Sequence, residues 1–199
     1  MTANTMLFIR HAQTDYNFQR RLQGSLPVPL NAAGRAQAQS LAVYLVDYGI
    51  DAIYTSPMSR ALQTAQILAE RLGKIPIQDA RLGETAFGCL EGKTVAEAAQ
   101  HFPLAQRYWQ SGYLAYRVPG GESRLDVQQR MRAAWDDILR ADAANAIAVV
   151  SHGSAIGILL RSLFAKLPET SLRNTSITTL SRHSDIWQIA GYGETPHLR

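Results

Sequence analysis

Two short apolar segments of the sequence each lead directly to a histidine. Residues 7–9 are followed by Arg10 and His11, and residues 146–150 lead through a serine to His152. Apolar runs of this length between polar residues are typical of buried strands. In open α/β sheets, ligands bind beyond the carboxyl ends of the strands. If the two strands are neighbours, the two imidazoles lie close together at such an end.

Two arginines bring positive charge to the same place. Arg10 precedes His11, and Arg60 follows a predicted strand at residues 51–55, where Ser59 is predicted to cap a helix. Helix N-termini attract anions, and a guanidinium donates two parallel hydrogen bonds to an oxyanion. The set predicts a site for a doubly charged oxyanion, with phosphate a better fit than carboxylate. Because adjacent strand side chains point to opposite faces, Arg10 and His11 share a pocket only if the strand ends there.

A zinc site is the alternative interpretation of the two histidines. Neutral imidazole is a common zinc ligand, but no third ligand follows at a typical spacing, and the arginines would repel a dication. The single cysteine, Cys89, excludes an intrachain disulfide and a CxxC metal motif. We therefore expect no metal and no cofactor. A lone histidine is more commonly structural, so the functional interpretation depends on all these residues occurring together.

Helices and strands alternate along most of the chain. This alternation predicts an α/β fold, a three-layer α/β/α sandwich with a mostly parallel central sheet, in one domain of residues 1–199. The predicted helices are residues 32–46, 59–72 and 94–101, a helix from residue 123 or 124 to 140, and residues 154–164. Further strands are predicted at residues 75–78, cut short by Pro76, and as an edge hairpin of residues 176–180 and 186–192.

Composition indicates which classes of protein and which kinds of partner are to be expected. The chain has 199 residues, 46% of them hydrophobic and 18% charged, with a formal net charge of +4. These values are ordinary for a globular domain. The arginines are too scattered to predict a nucleic-acid partner, and no apolar run is long enough to predict a membrane span or a signal peptide. We therefore expect a cytoplasmic protein.

Six motifs, in order over residues 6–157, resemble those of the histidine phosphatase superfamily, which has the phosphoglycerate mutase-like fold. They are RHAQT at residues 10–14 with Asn17, LQG at 22–24 followed by Pro29, Leu30 and Gly34, SPMSRALQTA at 56–65, LGE at 82–84 with Phe87–Gly88 and Glu91–Gly92, PGGES at 119–123 and VSHG at 150–153. One such motif is weak, but six in the same order are a strong signal.

The resemblance implies a role for each site residue. His11 would be the nucleophile that becomes a phosphohistidine, with its other ring N–H held by a backbone carbonyl. Glu84 would donate a proton to the leaving alcohol and then take one from water. The phosphoryl oxygens would be bound by Arg10, Arg60 and His152, with Asn17, Gln23 and Gly24 as further phosphate-binding residues.

The superfamily contains phosphatases and mutases, and three departures from the mutase pattern favour a phosphatase. Residues 22–24 are LQG, Phe87 stands where mutases usually have tyrosine, and the middle insertion lacks their paired arginines. The expected activity is metal-independent hydrolysis of a small phosphate ester. A cofactor-dependent phosphoglycerate mutase and a non-catalytic module that binds a phosphorylated ligand are the alternatives.

The insertion at residues 94–122 is predicted to arch over the pocket as a small helical lid. Its aromatic residues, at 102–116, indicate either an apolar leaving group or simply a packed lid. Arg21 and Arg117 are candidate contacts for a substrate anion, with solvated surface charges as the equally favoured interpretation. The edge hairpin offers a surface through which a homodimer could form.

Overall fold

The computed structural model describes residues 4–141 and 144–198. Its centre is a six-stranded sheet in the order β3-β2-β4-β1-β5-β6. The strands are β1 (Thr5–Arg10), β2 (Ala52–Thr55), β3 (Pro76–Gln78), β4 (Ala146–Ser151), β5 (Ile177–His183) and β6 (Ile186–Glu194). The four strands from β3 to β1 run parallel, and β5 and β6 add the antiparallel hairpin at one edge. The mostly parallel sheet and the edge hairpin are confirmed.

Helices cover both faces of this sheet. They are α1 (Asp15–Phe18), α2 (Ala32–Tyr44), α3 (Ser59–Leu72), α4 (Val95–His101), α5 (Pro103–Ser111), α6 (Arg124–Ala141) and α7 (Gly153–Leu163). Within β1, Met6 and Phe8 pack with α6 and α7 on one face, while Leu7 and Ile9 pack with α2 and α3 on the other. Because strand side chains alternate between faces, a continuous apolar run such as this needs a layer on each side. The three-layer prediction is therefore confirmed.

Two predicted element starts are wrong, each for a local reason. Ser59 is not the cap of α3: Met58 holds that position without a side-chain hydrogen bond, and Ser59 is the first helical residue. The third strand is not cut short by Pro76 but begins there, since β3 is an edge strand where the missing N–H of proline costs no ladder bond. Ile75, outside the strand, is exposed.

The segment 94–122 contains α4, α5 and a small apolar core of its own. A capping box between Thr94 and Glu97 starts α4, as its spacing predicts. The core joins the segment to the preceding loop and consists of Phe87, Leu90, Ala98, Ala105 and Val118, flanked by Leu22, Cys89, Phe102, Trp109 and Tyr116. Most of the aromatic residues therefore pack the segment itself.

The glycines of two motifs bring this segment against the loop before it. A Cβ at Gly88 would lie 2.2 Å from the carbonyl oxygen of Pro119, and one at Gly121 would lie 2.2 Å from that of Ala86. Any side chain at either position would overlap the facing backbone, which explains why both motifs need glycine. Within the described ranges, no helix is long and apolar enough to cross a membrane.

Candidate active site

His11 and His152 lie together at the carboxyl ends of β1 and β4. The two strands are parallel neighbours whose register pairs Arg10 with Ser151, one residue before each histidine. The imidazole centroids are 5.1 Å apart, and both side chains are buried. The predicted proximity of the two histidines is therefore confirmed, and it follows directly from the strand order.

Arg10 and His11 both line one cleft of about 390 Å³. Strand β1 ends at Arg10, so His11 already lies in the following loop and its side chain is free of strand alternation. Arg10 donates from Nη1 to the carbonyl oxygen of Leu172 at 2.6 Å. A Cβ at Gly153 would lie 3.4 Å from Arg10 Nε, so this glycine leaves room for the arginine beside the start of α7.

The hydrogen bonds of His11 determine its tautomer. Its Nδ1 lies 2.8 Å from the carbonyl oxygen of Ala12. A carbonyl can only accept, so Nδ1 carries the proton and Nε2 has a free lone pair. Burial, and then the charges of Arg60 and Arg10, hold the pKa of His11 well below its usual value of 6.5. His11 is thus a neutral imidazole, the form that a nucleophile requires.

His152 has the opposite arrangement. Its Nε2 lies 2.9 Å from Ser56 Oγ, while its buried Nδ1 has no partner among the described residues. Ser56 Oγ also accepts a hydrogen bond from the N–H of Met58, and its own hydroxyl hydrogen has no other acceptor among the described residues, so we assign that hydrogen to His152 Nε2. Nδ1 then carries the ring proton and can donate to an anion. Burial, and then the charge of Arg60, lower the pKa of His152 well below 6.5 as well.

Arg60 is buried at the start of α3 and is held by the loop that follows the second motif. It donates from Nη2 to the carbonyl oxygen of Gly24 at 2.7 Å and from Nη1 to that of Leu26 at 3.0 Å. The Nε atoms of Arg60 and Arg10, like His152 Nδ1, are buried without a partner in the described part of the chain. A buried donor without an acceptor costs about 1–3 kcal/mol. Arg10 and Arg60 line the cleft, and His152 packs against His11, which also lines it, so these three donors indicate a site for an anion with several oxygens.

Glu84 lies at the N-terminus of α7. Its Oε1 accepts hydrogen bonds from the N–H groups of Thr85 and Ala155 at 2.9 and 3.0 Å, and its Oε2 accepts one from Ser154 at 3.3 Å. These donors and the helix dipole favour a negative charge here. Glu84 lines the same cleft as His11, so the structure brings the predicted acid to the two histidines.

Sequence reasoning missed the residue that holds the loop of Glu84. Arg130, on α6, donates to the carbonyl oxygens of Arg81, Gly83 and Glu84, and its Nε is 2.8 Å from Glu122 Oε1. Glu122 also accepts from the N–H of Ala86. Glu122 belongs to the PGGES motif, so this motif helps to hold the loop of Glu84 in place. No local sequence pattern predicted a role for Arg130.

Three of the predicted phosphate-binding residues, Asn17, Gly24 and His152, are not part of the cleft wall, although His152 packs against His11, which is. Gln23 lines the cleft. Asn17 accepts through Oδ1 from the N–H of Thr14 and from Asn174 Nδ2, contacts that leave its own amide N–H groups unused. Gly24 contributes its carbonyl oxygen to Arg60, and its φ of 53° lies in the left-handed region that favours glycine. Phosphate binding by Asn17, Gln23, Gly24 and His152 stays a prediction.

The outer part of the cleft is formed by residues that the motifs do not contain. Among them are Trp109, Arg124, Arg161, Leu172 and Tyr192. Of the two arginines proposed from the sequence, Arg21 lines the cleft and is paired with Glu97 at 2.7 Å. Arg117 does not line it and is paired instead with Asp126 at 2.8 Å.

The zinc interpretation lacks a third ligand in the described ranges. There, no group of three or more histidine, cysteine, aspartate or glutamate side chains is placed to hold a metal ion. One ring nitrogen of each histidine is also engaged, His11 Nδ1 by Ala12 and His152 Nε2 by Ser56.

The sequence and the structure both match known proteins. The chain is 33% identical to a probable phosphoglycerate mutase, GpmB, of Yersinia enterocolitica, over 97% of this chain and 94% of the relative. Its fold superposes on that of Bacillus stearothermophilus YhfR with a TM-score of 0.89 and 33% identity, covering 99% of this chain and all of the other. It also superposes on a mycobacterial glucosyl-3-phosphoglycerate phosphatase in complex with VO3, with a TM-score of 0.85 and 34% identity over 96% of this chain and 99% of the other.

The family match spans the elements that build the site. Residues 6–195, from the start of β1 to the end of the edge hairpin, match the histidine phosphatase superfamily (branch 1). The solved relatives include a phosphatase, in agreement with the predicted phosphoric monoester hydrolase. The chain therefore belongs to the histidine phosphatase superfamily, and the fold class predicted from its sequence is that of its structural neighbours.

Proposed function

We propose that this chain hydrolyses small phosphate monoesters through a phosphohistidine formed on His11. The observation that carries the proposal is that a nucleophile and a set of unpaired anion donors lie at the same site. His11 presents a free lone pair on Nε2, and three buried donor atoms, Arg10 Nε, Arg60 Nε and His152 Nδ1, have no partner among the described residues. A lone pair facing a set of free donors suits attack on an electrophilic phosphorus whose oxygens those donors hold.

In the first half of the reaction, His11 Nε2 attacks phosphorus and the bond from phosphorus to the ester oxygen breaks. The non-bridging oxygens stay bound to Arg10, Arg60 and His152, which stabilise their charge. Glu84 enters this half in its acid form, because the phosphate dianion bound beside it disfavours a second negative charge, and it gives its proton to the departing oxygen, so that a neutral alcohol leaves. The products of this half are the alcohol and a phosphohistidine.

In the second half, Glu84 acts as a carboxylate. It takes a proton from a water molecule as that water attacks phosphorus, and the bond from phosphorus to His11 Nε2 breaks. Inorganic phosphate leaves, and His11 returns to its neutral form with Nδ1 still bonded to Ala12. The backbone donors at the start of α7 hold the carboxylate that this half requires.

The direct test is hydrolysis of p-nitrophenyl phosphate in the presence of EDTA. The wild-type chain should turn over, and His11→Ala should lose at least about a thousandfold in kcat, since no other group can form the covalent intermediate. His101→Ala, a change at an exposed histidine on α4, is the matched control and should retain activity. Full activity in His11→Ala would refute the mechanism.

The second candidate function is a phosphoglycerate mutase, favoured by the name of the Yersinia relative. A cofactor-dependent mutase must transfer the phosphoryl group from its histidine to a hydroxyl of phosphoglycerate faster than water removes it; the bisphosphoglycerate formed then returns one phosphoryl group to the histidine. Product analysis on 3-phosphoglycerate, with bisphosphoglycerate added, separates the two functions. We expect inorganic phosphate and glycerate, whereas 2-phosphoglycerate formed faster than phosphate would identify a mutase.

The cytoplasmic location, the absence of a nucleic-acid or membrane partner and the movement of segment 94–122 as a lid stay predictions. The homodimer is a hypothesis that rests on the exposed hairpin of β5 and β6, and the molecular mass in solution tests it.

A further inference from the structure

Two arginines in the outer part of the cleft have no role in the mechanism above. Arg124 is the first residue of α6, and Arg161 lies in the last turn of α7. Both line the cleft that contains His11. Both also line an adjoining cavity of about 350 Å³, so their side chains form the boundary between the two spaces. A group bound beside the phosphate can therefore reach them.

Neither arginine has a carboxylate partner within the described part of the chain. Arg124 donates from Nη2 to the carbonyl oxygen of Trp109 at 2.9 Å, and Arg161 donates from Nη1 to that of Gly157 at 3.2 Å. Arg21, on the same cleft, is by contrast neutralised by Glu97. Burial, and then the charge of Arg161, lower the pKa of Arg124. Two like charges thus face the cleft without an anion between them.

The guanidinium of Arg124 is held in place, but not all of its hydrogen-bond donors are used. Its guanidinium lies over the ring of Trp109, 4.2 Å from the centroid, and Trp109 in turn packs edge-on against Phe87 at 4.9 Å. A cation–π contact of this kind fixes the guanidinium against one wall. Its Nε is buried and has no acceptor among the described residues. The donor is therefore preorganised for a ligand.

The distance from the phosphate centre follows from the spacing on α7. Gly153, Gly157 and Arg161 are four residues apart and line the cleft along one face of the helix. A Cβ at Gly153 would lie against the Arg10 guanidinium, and one at Gly157 would lie 3.0 Å from Arg161 Nη1. Arg161 thus folds back over Gly157, and four residues of helix separate the two glycines by about 6 Å. The second pair of cations lies within reach of a small molecule bound at Arg10.

We propose that Arg124 and Arg161 form a second anion subsite, and that the preferred substrates are short phosphate esters carrying a carboxylate or a second phosphate a few bonds from the ester oxygen. This inference rests on the proposed phosphatase function and defines its substrate class. The catalytic centre holds the phosphoryl group that is hydrolysed, and the subsite holds the second anion. An ester without a second anion leaves the two arginines without a counter-charge.

The test compares esters that differ only in the second anion. 3-Phosphoglycerate is paired with glycerol 3-phosphate, in which a hydroxymethyl group replaces the carboxylate. Glucose 1,6-bisphosphate is paired with glucose 6-phosphate to measure the effect of a second phosphate. We expect the wild-type chain to prefer the member of at least one pair that carries the second anion, and the pair with the larger preference identifies the anion.

Substitutions then assign that preference to the subsite. The preference is measured as the ratio of the two kcat/KM values within a pair. Arg124→Gln and Arg161→Gln should each lower this ratio by about tenfold, mostly through KM. Each substitution removes a charge-assisted hydrogen bond that is equally strong in the bound substrate and in the transition state. Arg161→Lys should recover part of the preference. Arg140→Gln, which removes an exposed arginine paired with Asp137 on α6, is the matched control and should leave the ratio unchanged.

Two results would overturn the subsite. One is a wild-type chain with no preference in either pair, and the other is a set of variants in which both members of a pair lose activity in parallel. If the wild-type chain hydrolyses no ester at all, the proposed function fails, and calorimetric titration with 3-phosphoglycerate and with inorganic phosphate decides the subsite. The subsite is supported if Arg161→Gln binds 3-phosphoglycerate more weakly than the wild-type chain does but binds inorganic phosphate equally well. It is refuted if the two proteins bind 3-phosphoglycerate equally.

Discussion

The ends of β1 and β4 carry a histidine in the same register, but the two rings leave opposite chemistry unpaired, a lone pair on His11 and an N–H on His152. His11 gives Nδ1–H to a main-chain carbonyl and keeps a lone pair on Nε2. His152 receives a hydroxyl hydrogen at Nε2 and keeps an N–H on Nδ1. The partner of the far nitrogen thus decides whether a buried imidazole attacks or donates. Both rings are kept neutral by the same burial and the same arginines.

Among substitutions that keep both histidines, the largest effect is expected from removing the charge of Arg60, which lies beside both rings. Arg60→Met should lower kcat/KM on p-nitrophenyl phosphate by about a hundredfold to a thousandfold, as for the loss of other preorganised anion donors. It should also raise the pKa of His11 and His152, because the Arg60 charge lowers both. Steady-state kinetics and NMR titration of the imidazoles measure the two effects.

Arg71→Met is the matched control for this change. It removes an exposed arginine from the last turn of the same helix, α3, and should leave kinetics and titration unchanged. If Arg60→Met binds inorganic phosphate as tightly as the wild-type chain does, Arg60 is not an anion ligand.

A smaller effect is expected from removing the partner that makes His152 differ from His11. Ser56→Ala leaves Nε2 without a donor, so the ring proton no longer prefers Nδ1. The loss of one hydrogen bond, about 1 kcal/mol, should lower kcat/KM roughly fivefold to tenfold. The 15N shifts of the His152 ring should move toward the other tautomer, a change that a loss of packing alone would not produce.

Ser59→Ala provides the comparison for Ser56→Ala. Ser59 lies three residues along the chain, and its hydroxyl oxygen accepts a hydrogen bond from Gln63 Nε2, whereas the Ser56 hydroxyl donates to His152. Its replacement should leave the His152 shifts in place. Unchanged shifts in Ser56→Ala as well would remove Ser56 from its positioning role.

The smallest effect is expected on the pH dependence of stability. It tests the property that the two histidines share, a pKa well below the usual value. Their folded-state pKa values lie well below 6.5, so the unfolded chain binds more protons as the pH falls through 6.5. Their contribution to stability is therefore present above that pH and is lost progressively below it. Denaturant melts should show this loss, while kcat/KM should have no step at pH 6.5 from either ring. Such a step, together with an NMR titration near 6.5, would show that the site is solvated.

Motif order and local pattern predicted most of the fold and the centre of the site. The apolar run 146–150 is buried as β4, the residue types at positions 10, 11, 60 and 152 predicted an anion site, and the family resemblance added Glu84. Local pattern did not predict the N-cap of α3 correctly. A serine two residues after a proline has the sequence pattern of a capping residue, but here Met58 is the cap and Ser59 is the first residue of the helix. Arg130 was missed because its acceptors lie on a loop 46 to 49 residues earlier in the chain.

The sequence by itself determined the layered fold, the phosphate-type centre and the family, because these depend on periodicity and on short motifs in order. The tertiary structure decided which nitrogen each histidine presents, since that depends on Ala12 and on Ser56, which is 96 residues from its partner. It also decided that Arg124 and Arg161 face the same cleft. Arg124 begins α6 and Arg161 lies in the last turn of α7, so only the packing of α6 against α7 brings these two cations, which have no carboxylate partner among the described residues, to the cleft of His11.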